Sequence, residues 1–150
     1  MSGIKGKHTK PEMIARALLT AAGFRYRLHR RDLPGAPDIA LPGRKVAIFV
    51  HGCFWHAHEG CRLAAMPSTR PEFWKAKLAG NVERDVAAIA KLGMLGWRVL
   101  VVWECSTRGG GVNELSAAMV AWIEGSSEYG EIGASPRELG ARVSTPLTAL

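Results

Sequence analysis

Long apolar runs are missing from this 150-residue chain. No stretch approaches the roughly 18 to 20 residues that cross a bilayer, and Met1-Ser2-Gly3-Ile4-Lys5-Gly6-Lys7 lacks the hydrophobic segment of a signal peptide. A soluble, intracellular protein is therefore expected, with no membrane partner. Cysteine is scarce as well. Three residues, an odd number, argue against a disulfide framework and leave a metal site as the more economical use of the thiols. Acidic residues are the minority, 13 against 20 Lys+Arg, for a net charge of +7. The imbalance lies wholly in the first half: residues 1–75 hold 13 basic and 5 acidic side chains, residues 76–150 hold 7 and 8. A basic half suits a polyanionic partner, although basic surface by itself also serves solubility. No internal repeat is visible, and 47% hydrophobic residues suffice for one compact core.

Thr9-Lys10-Pro11-Glu12 combines an N-cap candidate, an early proline and an acid three residues on. Met13, Ile14, Ala17, Leu18 and Ala21 then share one helical face, which predicts a helix ending at Gly23. Phe24-Arg25-Tyr26-Arg27-Leu28-His29 alternates like a half-buried strand, and Leu33-Pro34-Gly35-Ala36-Pro37 is turn material that delivers Asp38 to Ile39-Ala40-Leu41. Lys45 to Val50 is a short continuous apolar run, read as a central strand of a hairpin. From His51 to Arg70 the periodicity vanishes. Pro71-Glu72-Phe73-Trp74 opens a helix, and Asn81-Val82-Glu83-Arg84-Asp85 is read as opening another, stopped by Gly93 and Gly96. Trp97 to Trp103 has the continuity of a strand covered on both faces; Gly109-Gly110-Gly111 leads to a last helix around Leu115 to Ile123. From Gly125 on the mixture of Gly, Ser and Pro predicts a loosely held tail. The element order predicts an α/β fold, a sheet with helices on its faces.

His51-Gly52-Cys53-Phe54-Trp55-His56-Ala57-His58-Glu59-Gly60-Cys61 gathers three of five histidines and two of three cysteines within 11 residues. Cys53, His58 and Cys61, closed by Cys105, would make a tetrahedral Cys₃His zinc site of the structural kind, leaving His51 and His56 for other work. The bland alternative makes these cysteines small buried hydrophobes. Pro37-Asp38 at the head of one strand, facing the end of the Lys45 to Val50 strand, has the form of a nuclease metal site. A turn-capping aspartate is the competing reading.

Asp32-Leu33-Pro34-Gly35-Ala36-Pro37-Asp38, Ile48-Phe49-Val50-His51-Gly52-Cys53-Phe54-Trp55-His56, Thr69-Arg70-Pro71-Glu72-Phe73-Trp74, Asn81 to Asp85 and Gly96-Trp97-Arg98-Val99-Leu100-Val101-Val102-Trp103-Glu104-Cys105 resemble, in order and spacing, the very short patch repair endonucleases. The resemblance runs over roughly residues 2–124. It implies a restriction-endonuclease-like fold, a central mixed β-sheet flanked by helices, with residues 1–124 as one endonuclease domain and 125–150 as a tail. It implies a Mg²⁺-dependent enzyme of the bacterial cytosol and nucleoid that nicks one strand of double-stranded DNA next to a T·G mismatch left by deaminated 5-methylcytosine.

Residue by residue, the resemblance implies that Asp38 binds Mg²⁺ beside the backbone carbonyl of Val50. His56 matches the general base for the attacking water, His51 the second catalytic histidine, and Glu12 an acid reaching the metal's water shell. Cys53, His58, Cys61 and Cys105 match the structural zinc ligands. Phe54, Trp55 and Trp74 match aromatics wedged into the base stack, which suits a mispair because its stacking is already poor. Arg25, Arg27, Arg30, Arg31, Arg62 and Arg70 are assigned generically to phosphates. Monomeric action and a functional link to a DNA cytosine-5 methyltransferase and to mismatch-repair proteins are also implied. The resemblance begins some way inside a typical member, so an amino-terminal DNA-contacting arm is expected to be missing. The rival readings are a related nuclease of altered mismatch or damage specificity, and a zinc-stabilised DNA-binding module without cleavage.

Overall fold

The computed structural model describes residues 9–108 and 112–133. Helix α1, Lys10–Ala21, starts where the Thr9 hydroxyl accepts the Glu12 N–H. It ends at Gly23, whose φ of 88° lets the Gly23 N–H reach Thr20 O and the Phe24 N–H reach Leu19 O, both at 3.0 Å. That double bond satisfies carbonyls the last turn would otherwise orphan. Strand β1 is Arg27–Leu28, β2 Ile39–Leu41 and β3 Val46–His51. Helix α2 spans Pro71–Met94, β4 Arg98–Trp103, α3 Val112–Glu124 and β5 Tyr129–Ile132. Short 3₁₀ turns occupy Arg62–Ala64 and Glu104–Thr107.

The strands form one mixed sheet in the order β1-β2-β3-β4-β5. β1, β2 and β3 pair antiparallel, whereas β3 with β4 and β4 with β5 run parallel. Strand alternation divides the core in two. Ile39, Leu41, Val46, Ile48, Leu100 and Val102 face Ala15 and Leu19 of α1 and Leu115, Met119 and Ile123 of α3. Ala40, Ala47, Phe49, Val99, Val101 and Trp103 face Ile89 and Leu92 of α2. Each fully buried Leu or Ile contributes about 1.5 to 3 kcal/mol, so these layers fix the sheet on which the polar residues are mounted. The expected α/β sheet with helices on its faces is what the chain forms. No helix among the described residues is long and apolar enough to cross a membrane.

Three expectations are corrected. The strand expected over residues 24–29 shrinks to Arg27–Leu28, because Phe24 is spent on closing α1 and His29 turns into the left-handed region at φ 47°. The two helices expected from Pro71 and Asn81 are the single helix α2. A glycine inside a helix costs only about 1 kcal/mol, and Gly80-Asn81 is carried through by Ile89 and Leu92 anchoring the helix on the sheet, while the Asn81 amide donates to Trp55 O at 2.8 Å. The tail expected from Gly125 instead contributes β5, its edge position held by the Trp103 indole N–H and the Tyr129 hydroxyl, which donate to the two Glu131 oxygens at 2.9 and 2.6 Å. The rest of that tail, 134–150, and the expected glycine turn 109–111 lie outside the described residues.

Candidate active site

The polar residues collect at the carboxyl ends of the parallel strands β3 and β4, the end of an open α/β sheet where ligands are usually met. Asp38 arrives there from the turn before β2. The turn is tight: a Cβ on Gly35, at φ 75°, would lie 2.6 Å from Ala88 Cβ, so α2 and the turn touch. The Val50 N–H donates to Asp38 Oδ2 at 2.7 Å, clamping the carboxylate against the end of β3. Glu12, buried on α1, shares its Oε2 between His29 Nε2 at 2.8 Å and Arg16 Nη1 at 3.3 Å. One ligand atom each from Glu12, His29 and Asp38 lie within 4.8 Å of one another. Burial pushes the Asp38 carboxyl up to about 6, and the facing Glu12 charge adds to the shift against the Val50 N–H and the two nearby histidines, His29 and His56. A buried carboxyl whose ionisation is opposed by a neighbouring carboxylate has the electrostatics of a cation site.

His51 and His56 stack face to face on the other side of that strand end, ring centroids 3.7 Å apart and planes within 2°. Asp85, on α2, bonds His56 Nδ1 at 2.6 Å and lies 3.9 Å from His51 Nε2. A carboxylate on one imidazole nitrogen orients the ring and supports charge on it, leaving the other nitrogen to take a proton. Burial, then the neighbouring His56 and His58, hold His51 well below the usual histidine range, so it is neutral. Its Nδ1 is buried without a hydrogen-bond partner. The site thus comprises two adjacent clusters, Asp38 with Glu12 and His29, and the two histidines with Asp85. Val50, bonded to Asp38 and followed by His51, joins them.

Cys53, His58, Cys61 and Cys105 form a third cluster, their ligand atoms within 4.8 Å of one another. His58 Nδ1 lies 3.5 Å from Cys53 Sγ and 3.6 Å from Cys105 Sγ. A tetrahedral zinc at its usual distances sets sulfur and nitrogen roughly 3.6 Å apart, so the four donors fit such an ion. A hydrogen bond with Cys105 and burial push the Cys53 thiol up, as expected of thiols packed together for a cation to share. Glu104 braces the segment by accepting the Cys53 N–H at 3.2 Å and the Arg108 guanidinium at 2.7 Å. Trp103 stacks on His58 at 4.0 Å and meets His51 edge-on at 5.3 Å. The Cys/His cluster and the histidine pair therefore share a wall.

Phe54, Trp55 and Trp74 come together half-buried in a mutually perpendicular group, centroids 4.9 to 5.7 Å apart. Exposed Phe73 extends it, with Arg70 over its ring at 4.5 Å. Trp103 and Trp122 are core residues. Of the arginines expected to meet phosphates, Arg25, Arg27, Arg31, Arg62 and Arg70 are exposed, whereas Arg30 is engaged in a two-pronged pair with Asp32 at 2.7 Å.

Two site residues, His29 and Asp85, escape the sequence reading. Asp85 closes the Asn81 to Asp85 motif, and its position about four turns into an uninterrupted α2 is what aims it at the histidines. His29 ends an alternating run and reads there as one more polar residue.

The family model described as DNA mismatch endonuclease Vsr matches residues 1–62. The chain is 50% identical over 105 residues to Type II nicking enzyme V.XorIIP of Xanthomonas oryzae pv. oryzae, covering 70% of this chain and 76% of that one. It is 47% identical over 109 residues to DNA mismatch endonuclease Vsr of Escherichia coli, covering 73% and 69% respectively. It is 41% identical over 108 residues to Type II nicking enzyme V.NmeAIP of Neisseria meningitidis, covering 72% and 76%.

Proposed function

The chain belongs to the DNA mismatch endonuclease Vsr family, and on that premise we propose that it is a DNA endonuclease, a phosphodiester hydrolase that nicks one strand beside a T·G mispair with Mg²⁺ held at Asp38. The observation that carries this reading is the His56–Asp85 pair at 2.6 Å, stacked on a neutral His51 and adjoining the Asp38–Glu12 carboxylates. The fold we assign is restriction-endonuclease-like.

Hydrolysis of a phosphodiester needs a nucleophilic water, positive charge against the developing phosphoryl charge, and a way to hold the proton removed. When bound, Mg²⁺ supplies the charge. Asp38 and the carbonyl of Val50 would hold the ion, with the Glu12 carboxylate facing the same point. His56 takes the proton from the attacking water at the nitrogen that Asp85 leaves open, and the Asp85 carboxylate balances the imidazolium. His51, kept neutral by burial, offers a hydrogen bond without repelling that imidazolium. Cys53, His58, Cys61 and Cys105 would hold a structural Zn²⁺, and these four ligands would thereby fix the irregular segment carrying Phe54, Trp55 and His56 relative to β4. Phe54, Trp55 and Trp74 enter the stack at the mispair, where unstacking costs less than the few kcal/mol of a matched step. The context is very short patch repair of deaminated 5-methylcytosine by a monomer, linked to a DNA cytosine-5 methyltransferase and to mismatch-repair proteins.

The test is a panel of labelled duplexes carrying T·G, other mispairs, an abasic site or none, incubated with zinc-loaded protein with and without Mg²⁺. Single-strand cleavage confined to the thymine strand of T·G and dependent on Mg²⁺ is the expected result. Equal cleavage of other lesions would replace the T·G reading by one of altered specificity, and binding without cleavage would leave a DNA-binding module.

A further inference from the structure

We propose that His29 is a direct nitrogen donor of the cation site, turning a carboxylate pair into a mixed Glu12–His29–Asp38 site that favours Mn²⁺ over Mg²⁺. The inference rests on the reading that Asp38 carries the ion. His29 Nε2 lies 2.8 Å from Glu12 Oε2, and both belong with an Asp38 oxygen to a set of ligand atoms within 4.8 Å of one another. Two ligands at right angles and about 2.1 Å from one ion stand about 3 Å apart, so the pair already has the spacing of adjacent corners of an octahedron. On binding, their hydrogen bond would be exchanged for two bonds to the ion, the neutral ring binding through Nε2 with its N–H carried on Nδ1.

The backbone independently aims the ring at this point. His29 sits at φ 47°, in the left-handed region, and its N–H donates to Asp38 O at 3.0 Å. A non-glycine residue is seldom held there unless its surroundings fix it. One residue thus ties the carboxylate of α1 to the turn that carries Asp38, with its imidazole within 4.8 Å of both carboxylates. Chemistry decides the ion. Mg²⁺ is served by oxygen and water, whereas imidazole adds affinity for first-row transition ions. Mn²⁺ shares the octahedral preference and takes nitrogen as well.

The test is pulsed EPR of zinc-loaded protein titrated with Mn²⁺ alone, alongside calorimetry with Mn²⁺ and Mg²⁺ separately, on wild type, His29→Gln and Asp38→Ala. Wild type is expected to show the echo modulation of a directly bound ¹⁴N. His29→Gln is expected to lose it, with Mn²⁺ affinity down by about tenfold or more and Mg²⁺ affinity changed far less. Wild-type spectra without ¹⁴N modulation, modulation that survives His29→Gln, or equal losses for both ions would overturn the proposal. Should His29→Gln fail to fold, His51→Ala and His56→Ala take its place: modulation retained in both supports His29, and modulation lost in either overturns it. Asp38→Ala separates the two claims. Mn²⁺ binding undiminished by that change removes the Asp38 reading itself, whereas binding lost with Asp38→Ala from a wild type lacking ¹⁴N modulation removes only the role of His29.

Discussion

Replacing Asp38 by Asn is expected to make the metal-free site more stable while destroying its use. The carboxyl is pushed from 3.8 up to about 6, chiefly by burial, so its ionised form is disfavoured in the folded protein. A shift of that size corresponds to about 3 kcal/mol of destabilisation at pH 8. Asn removes the charge and keeps an oxygen to accept the Val50 N–H, now bonded at 2.7 Å; its new N–H₂ needs partners, and a Glu12 carboxylate oxygen lies within 4.8 Å of the Asp38 carboxylate. A net gain of about 2 kcal/mol is expected, or roughly 4 to 8 °C in Tm for a domain of this size. Between the unfolded value and about 6 the native state binds more protons than the unfolded chain. Wild-type stability therefore falls as pH rises through that window, and the advantage of the variant shrinks as pH is lowered from 8 towards 5. Thermal unfolding of zinc-loaded protein, freed of other divalent ions, measures this. Added Mg²⁺ should then raise the wild-type Tm alone, by mass action on the folded state. A variant less stable than wild type at pH 8, or an advantage that grows on acidification, would refute the reasoning.

Asp85→Asn should lower the nicking rate about 10²- to 10⁴-fold with mismatch affinity nearly unchanged, as single-turnover rates and gel-shift titration would show; a rate within tenfold of wild type would remove the pair with His56. Cys105→Ser should abolish tight binding of about one zinc per chain and lower Tm, read by elemental analysis and unfolding, whereas retained stoichiometry would contradict the four-ligand site. Trp74→Ala, which removes a ring 5.4 Å from Phe54, should weaken T·G binding by about 1 to 3 kcal/mol and matched-duplex binding much less. Equal losses on both duplexes would make the ring a structural residue.

How far the sequence carries the structure depends on what each signal is made of. Local chemistry is legible: the Thr9 cap, the Gly23 stop and the apolar continuity of Val46 to Val50 and Val99 to Trp103 announce their elements because caps, glycine and alternation act within a few residues. Composition alone also isolates the four-residue Cys/His cluster, since no periodic element explains it. Tertiary effects are not legible. Gly80-Asn81 looks like a break, yet α2 runs through it because the sheet holds Ile89 and Leu92 on one face. β5 is short and lies among Gly and Ser, and its order comes from Trp103 and Tyr129 meeting Glu131. His29 and Asp85 become site residues only once α1 and α2 are packed on opposite faces of the sheet.

The central claim, that the carboxylates beside Asp38 and the histidine pair work as one catalytic centre, is tested most directly by single-turnover nicking of a duplex with one T·G pair. Wild type, Asp38→Ala and His56→Ala would be compared in Mg²⁺, each zinc-loaded and shown to be folded. The account predicts that either substitution removes cleavage while the mismatched duplex is still bound. Cleavage at the wild-type rate by both variants would contradict it.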